Sequence, residues 1–183
     1  GGPKGIGALV LRRGVDFVPR LLGGGQEMGR RAGTENLIGI AGFAAAAQAA
    51  QRDLANGVWE EIAEIRNILD SALSALGFET ISVGNDVARL PNTLCLIAPG
   101  WKGETQVMAM DLAGYAVSAG SACTAGVNRP SHVLLAMGRT EDEATGALRV
   151  TLGYTTTEAE VDRFLNAFPS VHAAAKKAGL PSK

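Results

Sequence analysis

Little in this chain points to disulfide, metal or membrane chemistry. It has two cysteines and two histidines in 183 residues. Cys95 and Cys123 form neither a disulfide framework nor a CxxC knuckle, and His132 and His172 lie too far apart in sequence to suggest a zinc site, so no metal is expected. A formal charge of −1 gives no electrostatic reason to expect nucleic acid or an anionic membrane as partner. No apolar run reaches the roughly 18–20 residues of a membrane span, and the opening "GGPKGIG" lacks the pattern of a secretory signal. With no disulfide framework, a reducing cytoplasm is the expected compartment. There is no internal repeat.

What is present is the composition of a globular protein, 46% apolar and 19% charged, long enough for one large domain or one domain plus part of another. "GGPKGIGALVLRR" opens on a glycine-proline turn and an apolar run, which reads as the middle of something: a fragment is expected, with a strand over 6–12. A loop then runs to Asn36. Residues 37–55 read as a helix with an alanine-rich face, ended by Asn56-Gly57. Val58, Ile62, Ile65, Leu69, Ala72 and Leu76 recur three or four apart, predicting a second helix with Glu60, Glu61, Glu64 and Arg66 mostly off its apolar stripe and Gly77 at its end.

Beyond it, "FETISV" and "NTLCLIA" read as strands, the second apolar enough to place Cys95 in a core in a structural role. "GETQVMAMDLAG" reads as a short helix, "YAVS" as a strand, and "HVLLAMG" as a helix capped by Ser131. "ALRVTLG" alternates, with Leu148, Val150 and Leu152 on one face and Arg149 and Thr151 on the other. "TTTEAEVDRFLNAF" begins with threonine caps and acidic first-turn residues, as a helix N-terminus does. The order predicts an α/β chain whose later part is an α+β layer of helices on a small sheet.

Four features could carry chemistry. In "SAGSACTAG", residues 118–126, Cys123 sits among small residues; it is either an inert buried thiol or a nucleophile presented on a mobile loop. "GGGQEMGRRAGT" offers glycines, Arg30, Arg31 and the Thr34 hydroxyl to an anion, though it has neither Walker A nor GxGxxG spacing; the alternative is a flexible loop with solvated arginines. Arg149 on its strand suits bidentate capture of a carboxylate, or else faces solvent. His132, in the first turn of a helix, could be a base but suits a capping or packing role better. His172 reads as a surface residue, and Trp59 and Trp101 as packing residues.

Taken together and in order, "GGPKGIGAL", "GGGQEMGRRAGTEN", "SAGSACTAG", "PSHVLLAMG" and "LRVTLGYTTTEAEVDRF" resemble the C-terminal half of a cysteine desulfurase of the NifS/IscS group. The resemblance implies a class V aminotransferase-like, pyridoxal-phosphate-dependent transferase fold, with 1–52 ending the large cofactor-binding domain and 53–183 forming the small domain. It implies removal of sulfur from L-cysteine to give L-alanine and a persulfide on Cys123. It gives Arg149 the substrate carboxylate, and Thr34 the cofactor phosphate of the partner subunit in a homodimer. A sulfur acceptor such as an iron–sulfur scaffold would then take the sulfur. The family's Schiff-base lysine would lie upstream of Gly1, and Lys4 does not match it, so the chain alone is expected to be inactive. A sulfur-carrier or docking domain, or another class V enzyme such as a selenocysteine lyase, are the alternatives.

Overall fold

The computed structural model describes residues 1–76, 80–120 and 130–177. The expected helix stop at Gly77 therefore lies outside the described residues. The chain divides into two compact units, Gly1–Asn56 and Gly57–Lys183.

The first unit is mostly irregular chain followed by helix α1, Leu37–Ala55. The helix begins where Asn36 Oδ1 accepts a hydrogen bond from the Gly39 N–H at 3.0 Å, satisfying one of the free donors of the first turn. Asn56 ends it, its N–H donating to the Arg52 carbonyl. Only Gly39 of this helix is buried. The expected strand over 6–12 is absent. Leu9 is 70% and Val10 92% exposed. A strand is a property of a pair, and among the described residues no segment forms a ladder with these; the Arg12 carbonyl instead accepts the Val15 N–H in a local turn.

The second unit is built on a four-stranded antiparallel sheet in the order β1-β2-β4-β3. Its strands are β1 (Ile81–Ser82), β2 (Thr93–Ile97), β3 (Ser118–Ala119) and β4 (Ala147–Thr151). The helices are α2 (Val58–Ala75), α3 (Gly103–Leu112), α4 (His132–Ala136), α5 (Glu141–Thr145) and α6 (Glu158–Lys177). Alternation decides the faces: Leu94 and Leu96 of β2 and Leu148 and Val150 of β4 enter one core with Ile62, Leu69 and Leu73 of α2, Met110 of α3, and Phe164 and Phe168 of α6. Trp101 joins this core, and His172 packs edge-on against its ring at 5.0 Å. His172 is thus half-buried, contrary to the surface reading, because its neighbour is remote in sequence. A smaller cluster unites Val83, Ile97 and Ala147 with Leu134 of α4 and Ala144 of α5.

Polar contacts tie the sheet to its surroundings. Leu152 N–H donates to the Asn92 carbonyl at 2.8 Å, and Asn92 Nδ2 donates to the Leu152 carbonyl at 3.1 Å. Gln106, fully buried, donates from Nε2 to the carbonyls of Trp101 and Gly146. Arg66, expected among the polar residues of α2, is buried instead. Its Nη1 donates to the Leu90 carbonyl, and beside it Arg89 pairs with Asp70 at 2.6 Å. Helix α5 was not among the expected elements. Thr140 Oγ1 accepts from the Glu143 N–H while the Glu143 carboxylate accepts from the Thr140 N–H, a capping box that holds this single short helix.

Candidate functional site

The glycine-rich loop of the first unit closes on itself where the Ala32 N–H donates to the Leu21 carbonyl at 3.1 Å. Inside it, Gln26–Gly29 form a 3-10 turn. Glu27 and Met28 there are left-handed, with φ of 50° and 57°. Two consecutive non-glycine residues in that region cost about 1–2 kcal/mol each, so the rest of the loop must hold them in place. It does so with the Gly29 N–H on the Gly25 carbonyl, the Arg30 N–H on the Glu27 carbonyl, and the Gly33 N–H on Gln26 Oε1 at 3.2 Å. Nothing in the sequence pattern signals this last bond.

Thr34 follows, exposed, on the wall of a cavity of about 980 Å³. Arg12, Arg13, Arg20, Arg30 and Arg31 line the same cavity, with Glu27 and Glu35 as its acidic residues. Cations therefore outnumber carboxylates on the wall. Arg30 lies 3.8 Å from Asp16 through Nη2, while its Nε is buried without a hydrogen-bond partner. A hydroxyl and five guanidiniums, one of them with its Nε–H unpartnered, fit the phosphate end of a cofactor such as pyridoxal phosphate. Lys4, in its glycine-proline turn, is not part of the wall.

In the second unit Arg149 lies on β4, an interior strand, opposite Cys95 of β2 on one side and Ser118 of β3 on the other. It is half-buried, on the face away from Leu148 and Val150, and no carboxylate pairs with it among the described residues. Cys95 shares its face. The thiol is therefore not in the main core, where its aliphatic neighbours had placed it, but half-buried against the smaller cluster. Burial pushes its pKa up, and the Arg149 charge offsets only part of that. At neutral pH it stays protonated.

Thr34 and Arg149 belong to different units, so neither unit alone contains both. Cys123 lies outside the described residues. His132 is the exposed first residue of α4, whose N-cap Ser131 accepts from the Leu134 N–H through Oγ. Among the described residues no group of histidine, cysteine and carboxylate side chains could hold a metal, and no helix is long and apolar enough to cross a membrane.

Comparison with known proteins gives these features a family. Residues 1–164 match the model of the family described as "Aminotransferase class-V". The chain is 42% identical over 170 residues to a cysteine desulfurase of Cereibacter sphaeroides, covering 93% of this chain and 43% of that one. It is 40% identical to an IscS-like cysteine desulfurase of Mycobacterium tuberculosis, with 98% of this chain and 46% of the relative covered. A solved NifS-like protein superimposes with a TM-score of 0.79 at 35% identity, over 94% of this chain and 43% of that structure. The chain thus spans less than half the length of the curated relatives it matches. With its helices and small sheet superimposing on that neighbour and the family model running through both units, the chain belongs to the aminotransferase class-V family.

Proposed function

We propose that this chain is the part of a cysteine desulfurase that captures the substrate carboxylate and carries the sulfur nucleophile. The observation that carries the reading is Arg149. A guanidinium on an interior strand that pairs with no carboxylate among the described residues can take an external one, and its fixed fork suits the planar carboxylate of L-cysteine. Ser118, beside it in the sheet, precedes Cys123 by five residues in the sequence.

Pyridoxal phosphate, when bound, supplies the electron sink that loosens the substrate C–S bond. The chain's own residues do the rest. Arg149 orients the amino acid by its carboxylate. The Cys123 thiolate attacks the substrate sulfur, forming an S–S bond as the C–S bond breaks; the released electron pair stays with the substrate carbon, which takes up a proton to leave alanine. Cys123 is left as a persulfide for an acceptor such as an iron–sulfur scaffold. Thr34 and the arginines around it would hold the phosphate, in a cytoplasmic homodimer that of the partner subunit. Residues 1–52 would end the large cofactor-binding domain and 53–183 form the small one, with α1 bridging the boundary.

The test is made in the full-length protein that carries this chain. Cys123→Ala should abolish persulfide and alanine formation while cofactor and cysteine still bind. Arg149→Ala should lower kcat/KM for cysteine roughly 30- to 1000-fold, mostly through KM, with cofactor retained. Normal turnover by Cys123→Ala, or an unchanged kcat/KM in Arg149→Ala, refutes the reading.

A further inference from the structure

We infer that Gln26 is a positioning residue for Thr34. Its amide oxygen accepts the N–H of Gly33, the residue immediately before Thr34, and so holds the Ala32–Gly33 peptide that leads into the threonine. Gly33 has a φ of +99°, a left-handed conformation that glycine takes without a Cβ penalty. Arg31 Nη1 donates to the Ala32 carbonyl, so the two ends of the Ala32–Gly33 peptide are held by two side chains, Gln26 on its N–H and Arg31 on its oxygen, while the Arg30–Asp16 contact lies elsewhere in the loop.

The neighbourhood is arranged around this bond. The left-handed pair Glu27 and Met28 follows Gln26 directly and turns the backbone so that residue 26 faces residue 33. Gly24 leaves the amide its space: a Cβ there would stand 2.5 Å from Gln26 Oε1. The inference rests on the reading of Thr34 as a phosphate ligand, and its test separates the two.

In the full-length protein that carries this chain, pyridoxal phosphate is titrated into the apo form and its dissociation constant read by fluorescence. Thr34→Ala should weaken binding about tenfold. Gln26→Met, similar in size but without the acceptor, should weaken it roughly three- to tenfold. Gly24→Ala should do the same with Gln26 still present, because the new methyl displaces the amide; its backbone lies outside the left-handed region and accepts alanine. On a Thr34→Ala background Gln26→Met should cause no further loss, a non-additivity that a merely structural role would not produce. If Thr34→Ala weakens binding while Gln26→Met and Gly24→Ala do not, Gln26 does not position the threonine. Full additivity of the two losses would likewise overturn the inference. If Thr34→Ala itself leaves the dissociation constant unchanged, the phosphate reading of Thr34 is at fault, and the inference goes with it.

Discussion

The two units treat their apolar side chains in opposite ways. In residues 57–177 the sheet and helices share a core in which Leu94, Leu96, Met110, Leu148 and Phe168 are almost wholly removed from water. In residues 1–56 no apolar side chain is buried; Leu37, Ile38 and Leu54 of α1 are mostly exposed, as are Val10, Val18 and Leu22 before it. The difference teaches that regular structure in the two units has different origins. The second unit is held by burial, which scales with apolar area removed from water. The helix of the first rests on its Asn36 cap and the helix-forming run "AAAAQAAQ", local terms that amount to little without packing.

The sharpest way to break this contrast is to cut the chain between residues 56 and 57. The second unit alone should give a cooperative thermal transition by circular dichroism. The first alone should show weak helicity and no transition, since α1 buries no apolar side chain and helix stability in proteins comes mostly from packing. A cooperative melt of residues 1–56 would mean the comparison is wrong. Single truncations should repeat the pattern on a smaller scale. Phe168→Ala and Leu96→Ala should each cost about 2–5 kcal/mol in urea unfolding, whereas Leu37→Ala and Ile38→Ala should stay within about 0.5 kcal/mol.

The smallest effect belongs to Cys95. Its thiol pKa is raised in the folded state, so the neutral thiol's contribution is complete below the ordinary thiol value of about 8.5. That contribution is lost as pH rises through the folded-state pKa. Stability should fall along this alkaline limb, and Cys95→Ala should flatten it. An identical alkaline profile in the variant would mean that Cys95 ionises as freely folded as unfolded.

Much of the second unit was legible because its signals are local and periodic. The alternation in "ALRVTLG" gave both faces of β4, and with them the side on which Arg149 stands. Asn36 and Asn56 marked the ends of α1. Helix α5 escaped because five residues show no period, although its Thr140 and Glu143 spell the capping box that makes it. Residues 6–12 misled because apolar character does not supply a partner. Cys95 and Arg66 were misplaced for a related reason: aliphatic neighbours or a charge suggest burial or exposure, but the face is settled by what packs there. At the candidate site, residue types could be read from the sequence, whereas the bond from Gly33 to Gln26 and the lack of a carboxylate partner for Arg149 among the described residues depend on three-dimensional neighbours.

The Asn92–Leu152 pair has a consequence for the arginine. By clasping both backbone groups of Leu152, Asn92 acts as an end stop at the mouth of the β2–β4 ladder. A slip of β4 by one residue would break the clasp and exchange the two faces of the strand. Leu148 and Val150 would turn outward, and the guanidinium of Arg149 would be driven among Leu94, Leu96 and Phe168, where a lone charge is very costly. One amide and one carbonyl at the end of the ladder thereby decide whether a cation stands clear of the core or is driven into a wall of hydrocarbon.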